Sequence, residues 1–392
     1  MSTGWHCPTL MMYGCDGLAP WLAGRPERTV TLLVDGAVAD AAITGLVREQ
    51  LARAGRRDTE VDTVVLAGPG DLAGVAGLAG RARDLVVAVG GGSLLDQAKL
   101  AVLLRSGAEA RTRLEVPQRS GLILLPRAPG PRPGLVAVPT TLGTGSESSA
   151  VACLDFPRGK RLIMGSVLQP DVAVLDPVAT GTLPAALVAE GALEVLFRLT
   201  GLYVGDHADL PTEDALARTL ARRVVELGYA PGSPAARAEI AKVSGLSHAG
   251  WVVLGRAPYA GKGWYLANEL SSALGLRKMT AVAALLPPLW RAVADGDVRL
   301  GSARRLRRMW AELRTAPAAA ELPEDPADGI AALIDAWGVD RRIDADADAL
   351  AAVAPRTVRA WGAGLPMLDG LSAADIHGLF QQAVSRRELL TA

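Results

Sequence analysis

Hydrophobic positions over roughly the first 180 residues fall into short solid runs separated by segments of helical spacing. Thr29–Val34 is an apolar, β-branched run that closes on Asp35-Gly36. Val61–Ala67 is a second, stopped by Gly68-Pro69-Gly70. Leu85–Val89 is a third, and it runs directly into Gly90-Gly91-Gly92. Gly121–Leu125 and Leu135–Val138 read as further strands. Between the runs, Ala41–Ala54 and the stretch from Ser93 to about Arg105 are spaced as helices. Strands alternating with helices in this way predict a parallel sheet covered by helices on both faces.

From about Leu183 the pattern changes. Long Ala/Leu/Arg segments with helical spacing dominate, among them Thr212–Leu227, Ala235–Leu254 and Ser302–Arg314. Leu371-Ser372-Ala373-Ala374-Asp375 places a capping serine before an acidic residue three positions on, which predicts the start of a final helix. The expected organisation is an α/β domain over residues 1–180 and an all-α domain over 181–392. Arg127–Pro133 reads as a loop inside the first half, and no internal repeat is visible.

Composition narrows the function classes. Half of the 392 residues are hydrophobic and 21% are charged, an ordinary globular balance with enough chain for a large core. With 41 basic and 41 acidic residues the net charge is zero, so no bulk basic surface for nucleic acid or an anionic membrane is indicated. The run Met279–Trp290 is too short to span a bilayer. Met1–Leu10 lacks a basic stretch followed by an apolar core. Cys7, Cys15 and Cys153 form no CxxC pair and no disulfide framework. A reducing cytoplasm is the expected location. Lysine occurs five times, at Lys99, Lys160, Lys242, Lys262 and Lys278, which slightly favours a specific use for each.

Two segments carry candidate chemistry. Val86-Val87-Ala88-Val89-Gly90-Gly91-Gly92-Ser93, followed by Asp96 and Lys99, takes a strand through three glycines straight into a helix. Glycine lets a backbone approach a diphosphate closely, and the helix N-terminus offers unpaired N–H groups and a favourable dipole. A tight turn without a ligand fits the same residues. Pro139-Thr140-Thr141-Leu142-Gly143-Thr144-Gly145-Ser146-Glu147 concentrates hydroxyls in one loop. It suits phosphate and ribose, or an ordinary polar loop.

Together, GGGSxxDxxK and PTTxGTGSE resemble the iron-containing (group III) alcohol dehydrogenases, a family on the dehydroquinate synthase-like fold. Met12-Tyr13-Gly14 with Thr31–Asp35 resembles that family's first strands. Lys160, Pro170 and Asp176-Pro177 resemble a later segment, and Leu371–Ala383 its last helix. The resemblance implies an α/β dinucleotide-binding domain followed by an all-α domain. It implies that Gly91, Gly92 and Ser93 contact the diphosphate of a nicotinamide dinucleotide and that Asp96 sits near its nicotinamide side. Thr140, Thr141 and Thr144 would line the cofactor, and Lys160 would hydrogen-bond the nicotinamide ribose. Asp35 follows the strand where such proteins choose their cofactor; a carboxylate there accepts from ribose hydroxyls and repels a 2′-phosphate, which favours NAD over NADP. The family's habit also implies a homodimer formed through the cofactor domain.

The sequence departs from the family at its metal. The family binds iron or zinc with one aspartate and three histidines, and the matching positions here are Gly191, Val195, Trp264 and Lys278. A further family histidine falls on Asn268. Glycine, valine and tryptophan offer a divalent metal no side-chain ligand, and a protonated lysine repels one. The four histidines, His6, His207, His248 and His377, are not paired at metal spacing. No metal cofactor is expected. In the family the metal stabilises the developing alkoxide as hydride leaves. Lys278 and Lys262 are the candidates for replacing that charge, with Tyr265, Asn268 and His248 as polar neighbours. A solvated surface lysine is the plain alternative for each. Glu190 and Glu194 lie on one helix face. Gly191–Val195 also resembles the Gly-x-x-Glu-Val stretch of dehydroquinate synthases, where the glutamate binds zinc, but the histidines such an enzyme needs are missing.

Two main functions follow. One is a metal-independent, NAD-dependent dehydrogenase acting on a secondary alcohol, or its ketone, in a small-molecule or peptide substrate. A divergent branch of the family accompanies daptide-type peptide pathways, where oxidising a C-terminal threonine hydroxyl gives a β-keto acid that loses CO2. The other is a catalytically degenerate cofactor-fold subunit serving as the structural partner of a biosynthetic complex. A dehydroquinate-synthase-like lyase is a third, weaker reading. NAD binding with hydride transfer separates the first two.

Overall fold

A computed structural model describes residues 8–56, 60–126, 131–157, 159–248, 250–257 and 259–384. His6, Cys7 and residues 127–130 of the Arg127–Pro133 loop lie outside the described residues. Contacts divide the chain into two units. One runs to Gly191 and takes in Pro231–Gly250; the other comprises Ala192–Ala230 and the chain from Trp251 onward. The expected border at residue 180 thus falls at Gly191. The helix Pro234–His248, read from sequence as part of the all-α half, groups with the α/β unit because it packs on that unit's last strand and the turn after it.

The strands are β1 (Leu10–Tyr13), β2 (Val30–Asp35), β3 (Val61–Leu66), β4 (Leu85–Gly90), β5 (Leu122–Leu124), β6 (Gly134–Pro139), β7 (Val151–Phe156), β8 (Gly159–Met164) and β9 (Val172–Leu175). Among the described residues, six of them form an all-parallel sheet in the order β1-β9-β6-β4-β2-β3. The run at 121–125 does not join it. It becomes β5 of a second sheet, β5-β8-β7, whose β7–β8 pair is antiparallel.

Every residue of β4 is buried, and the strand period assigns its side chains to two cores. Val87 and Val89, with Val34 and Val138, pack on α1 (Leu18–Ala23) and α2 (Ala42–Arg53). Val86 and Ala88, with Leu33 and Ala137, pack on α3 (Leu72–Arg81) and α4 (Gly92–Arg105). A short α5 (Ala108–Glu115) follows. Each large aliphatic side chain so buried stabilises the fold by about 1.5–3 kcal/mol before entropy is counted.

The remaining helices are α6 (Ala185–Gly205), α7 (Pro211–Gly228), α8 (Pro234–His248), α9 (Gly250–Val253), α10 (Lys262–Leu274), α11 (Lys278–Ala294), α12 (Ala303–Leu313), α13 (Pro326–Ala336), α14 (Ala347–Trp361) and α15 (Ala373–Ala383). Of the helix expected over 235–254, Pro234–His248 and Gly250–Val253 are helical, and Ala249 lies outside the described residues. Within the helical unit α10 packs on α11 and α14, and α11 on α13 and α15. Among the described residues no helix is long and apolar enough to cross a membrane.

Candidate functional site

In the α/β unit, β4 ends at Gly90 and α4 opens at Gly92 with Gly91 as its cap. The Leu94 and Leu95 amides donate to the Gly91 carbonyl, which leaves the Gly92 and Ser93 N–H groups at an anion-ready helix end at the carboxyl end of the sheet. The Thr140 amide donates to the Gly90 carbonyl at 3.0 Å, which starts the hydroxyl-rich loop beside the glycine turn. A Cβ on Gly91 would lie 3.1 Å from Thr141 Cγ2, and one on Gly92 would lie 2.8 Å from Thr144 Cγ2. The two motifs singled out in the sequence therefore form one surface, and glycine is required because threonines of the partner motif fill the space. Asp35 ends the neighbouring strand β2. Its half-buried carboxylate accepts from the Ala37 amide at 3.0 Å, and a Cβ on Gly90 would stand 3.0 Å from Asp35 Cβ. Gly91, Gly92, Ser93, Thr140, Thr141, Thr144 and Asp35 are thus brought together.

Asp96 does something more specific than approach a ligand. One carboxylate oxygen accepts from Ser146 Oγ at 2.5 Å and the other from the Cys153 amide at 2.8 Å. Burial pushes this carboxyl up, while Lys99, Ser146 and the Cys153 amide pull it down. Asp96 clamps the hydroxyl loop to α4. Lys99, buried in the same helix, donates to the Ser149 carbonyl at 3.0 Å, to Ser149 Oγ at 3.2 Å and to the Val151 carbonyl at 2.8 Å. Burial holds it down at about 8. Lys160 stands on the β7–β8 hairpin opposite Asp155, with 3.9 Å between their charged ends, and its charge also pulls the Asp96 carboxyl down. His248 of α8 lies on the hydroxyl loop, Nε2 3.0 Å from the Thr144 carbonyl oxygen.

At the carboxyl ends of β1, β6 and β9, where open parallel sheets take their ligands, a pocket is lined by Tyr13, Thr141, Leu142, Asp176, Arg237 and Ser244 among others. Arg237 donates to the Thr180 and Pro231 carbonyls. The buried Ser244 hydroxyl makes no hydrogen bond among the described residues. Sequence reasoning missed these α8 residues, since nothing local marks α8 as part of a cofactor fold. A helix end built on two glycines, a threonine-lined loop and a rim carboxylate fit a nicotinamide dinucleotide.

In the helical unit, Lys278 opens α11 and donates to Glu194 of α6 at 2.5 Å. Its ammonium also stands 5.5 Å from the centre of the Trp264 ring. The side chains are 34% and 11% exposed, respectively, for Lys278 and Glu194. Burial pushes the Glu194 carboxyl up, but Lys278 and Arg198 outweigh it and hold it low. Lys278 is therefore not the lone charge that the sequence suggested; its partner comes from 84 residues away. Tyr265 is buried, its ring 4.8 Å from Trp361 and 5.4 Å from Trp264, and burial pushes its hydroxyl up. Asn268 is 3% exposed, and its Nδ2 has no partner among the described residues. Lys262, at the start of α10, donates to the Asp369 carbonyl at 3.0 Å. That bond makes it a tie to the stretch before α15 and sets it apart from the Lys278 pair.

The family metal positions do not fit a metal. In the α/β unit a Cβ on Gly191 would come within 2.7 Å of Leu142 Cβ and 2.8 Å of its carbonyl oxygen, so an aspartate has no room there. In the helical unit Val195 is fully buried among apolar residues and Lys278 is an ammonium already paired with a carboxylate. Among the described residues no cluster of three or more histidine, cysteine, aspartate or glutamate side chains is placed to hold a metal ion.

Residues 13–177 match the family model for iron-containing alcohol dehydrogenase. Aldehyde-alcohol dehydrogenase 2 of Entamoeba histolytica is 32% identical over 219 residues, 53% of this chain and 24% of the relative. Probable alcohol dehydrogenase EutG of Escherichia coli is 37% identical over 147 residues, 37% of this chain and 35% of the relative. The matches span about a quarter to a third of the length of these curated relatives. The solved NADH-dependent butanol dehydrogenase A of Thermotoga maritima superposes with a TM-score of 0.77 at 18% identity, covering 98% of this chain and 99% of that one. At that identity the likeness shows the fold.

Proposed function

We propose, from the match of residues 13–177 to the iron-containing alcohol dehydrogenase family model, that this chain is an NAD-dependent oxidoreductase of a secondary alcohol, or its ketone, that works without a bound metal. The observation that carries the reading is the fit of Gly91 against Thr141 and Gly92 against Thr144 at the N-terminus of α4. Asp35 at the end of β2 favours NAD over NADP, since a 2′-phosphate would meet its charge. When bound, the nicotinamide exchanges a hydride with the carbinol carbon. Lys278 supplies positive charge for the oxygen that loses its proton, oriented by Glu194. The substrate is a small molecule or a peptide. The same reading makes the protein a cytoplasmic homodimer; neither Cys15 nor Cys153 is in a disulfide, and β1 is a sheet edge, among the described residues.

Titration with NADH should show saturable binding in the micromolar to millimolar range, and Gly92→Asp should abolish it. The variant drives a branched carboxylate into Thr144 and toward the diphosphate. Gly92→Asp binding like wild type would sink the cofactor site. Lys278→Met should lower turnover by ~10²–10³ with NADH affinity unchanged. Protein purified without chelator should carry well under one equivalent of iron or zinc; a stoichiometric metal needed for activity would overturn the metal-free reading. The ion pairing of Lys278 favours a second reading, a structural partner in a biosynthetic complex. Full NADH binding without hydride transfer to any alcohol or ketone would select it.

A further inference from the structure

The two peptide groups that meet at Gly145 carry four polar atoms, and three of them are hydrogen-bonded. The Thr144 carbonyl lies 3.0 Å from His248 Nε2. The Gly145 carbonyl accepts from the Ser148 and Ser149 amides at 3.1 and 3.0 Å. The Ser146 amide reaches Thr144 Oγ1 at 3.4 Å. The fourth atom is the Gly145 N–H. Gly145 is buried, and this N–H has no hydrogen-bond partner among the described residues. A buried backbone donor is rarely left so unless a ligand or a water meets it. The Gly92 N–H at the start of α4 stands across the Thr144 side chain, whose Cγ2 would lie 2.8 Å from a Cβ on Gly92. All of these residues belong to the α/β unit.

A carbonyl only accepts, so His248 Nε2 carries the proton in its contact with Thr144. Carbonyl and N–H point in opposite directions in a planar trans peptide. The Thr144 carbonyl, drawn to α8, therefore turns the Gly145 N–H away from α8. On the other side of the loop, Asp96 of α4 holds Ser146 Oγ at 2.5 Å. The loop is gripped from both helices and is left with one backbone donor at Gly145. We propose that His248 is a positioning residue for the cofactor: through the Thr144 carbonyl it presents the Gly145 N–H to the diphosphate of the dinucleotide, beside the Gly92 and Ser93 N–H groups. This deepens the NAD-dependent reading and rests on it. His248 acts through the loop, so it sets dinucleotide affinity and takes no part in hydride transfer.

NADH is the probe, titrated by fluorescence into three proteins: wild type, His248→Phe and His248→Gln. Phenylalanine keeps a ring over Gly145 without a donor, whereas the glutamine amide can reach the Thr144 carbonyl. His248→Phe should weaken NADH about tenfold, the scale of one hydrogen bond to a charged group, and His248→Gln should stay within about threefold of wild type. Urea denaturation of the ligand-free proteins checks that each is folded, and His248→Leu is the second donor-free variant should His248→Phe not fold. The phosphorus NMR resonances of bound NADH should move in the donor-free variant and return in His248→Gln; a role confined to packing leaves them in place. A donor-free variant that binds NADH like wild type, a His248→Gln as weak as the donor-free variant, or unmoved phosphorus resonances would each overturn the proposal. Wild type that binds NADH while His248→Phe binds it equally removes only the positioning role. Wild type that fails to bind NADH removes the oxidoreductase reading itself.

Discussion

Gly145 shows how one residue holds two distant parts of a site. Its φ of +63° lies in the left-handed region, and an added Cβ would overlap the His248 ring. Gly145→Ala therefore meets a backbone cost of about 1 kcal/mol and a clash with a packed ring. A destabilisation of about 2–4 kcal/mol is expected, measured by urea denaturation. Adding His248→Ala should recover the clash and leave the backbone cost. A double variant as unstable as the single one would show that His248 is not the obstacle. Lys278 teaches a related lesson about legibility. Its identity and its place at a lost ligand position can be read from the sequence, but its carboxylate partner cannot, because Glu194 and Lys278 meet only when α6 and α11 pack.

At the scale of elements, helix ends were the most legible feature. The serine–acid spacing at 372–375 predicted a capped final helix, and α15 opens with a reciprocal capping box between Ser372 and Asp375. Asp375 also pairs with Arg299, and these hydrogen bonds hold its carboxyl down at about 2. A folded value below the unfolded one means stability that is present above pH 4 and is lost as pH falls toward 2. The side chain is partly exposed, so the contribution is about 1–2 kcal/mol rather than the full shift. Asp375→Asn should lower stability by that amount at pH 7 and flatten the stability profile between pH 4 and 2. An unchanged slope there would assign the acid sensitivity to other carboxylates. The β7–β8 hairpin escaped the sequence reading because β7 alternates half-buried and buried positions and β8 opens on Gly159-Lys160-Arg161, so neither strand is a solid apolar run.

For the whole molecule, the exposed edge of the parallel sheet is the feature that bears on assembly. Among the described residues β1 pairs only with β9, and it shows Leu10 at 47% and Tyr13 at 57% exposure. Unpaired strand edges with apolar side chains are ready templates for pairing with a second chain. Sedimentation at tens of micromolar should give a dimer for the wild type. Leu10→Arg should shift it toward monomer with NADH binding intact. A wild type that stays monomeric would remove the dimer while leaving the fold untouched.

The sequence by itself determined the parallel α/β core, the glycine turn with its threonine-rich partner and the absence of metal-ligand side chains at four positions. These are local properties: solid apolar runs demand two covered faces, glycine spacing shapes a turn, and a side chain without a donor atom cannot ligate. Only the tertiary structure decided that α8 belongs with the cofactor fold, that Asp96 and Lys99 hold the loop at 146–151, and that Lys278 is shared with Glu194 while Lys262 is tied to Asp369. Each of those depends on which long-range partner a polar group finds once burial removes water as the alternative, and no local spacing encodes that choice.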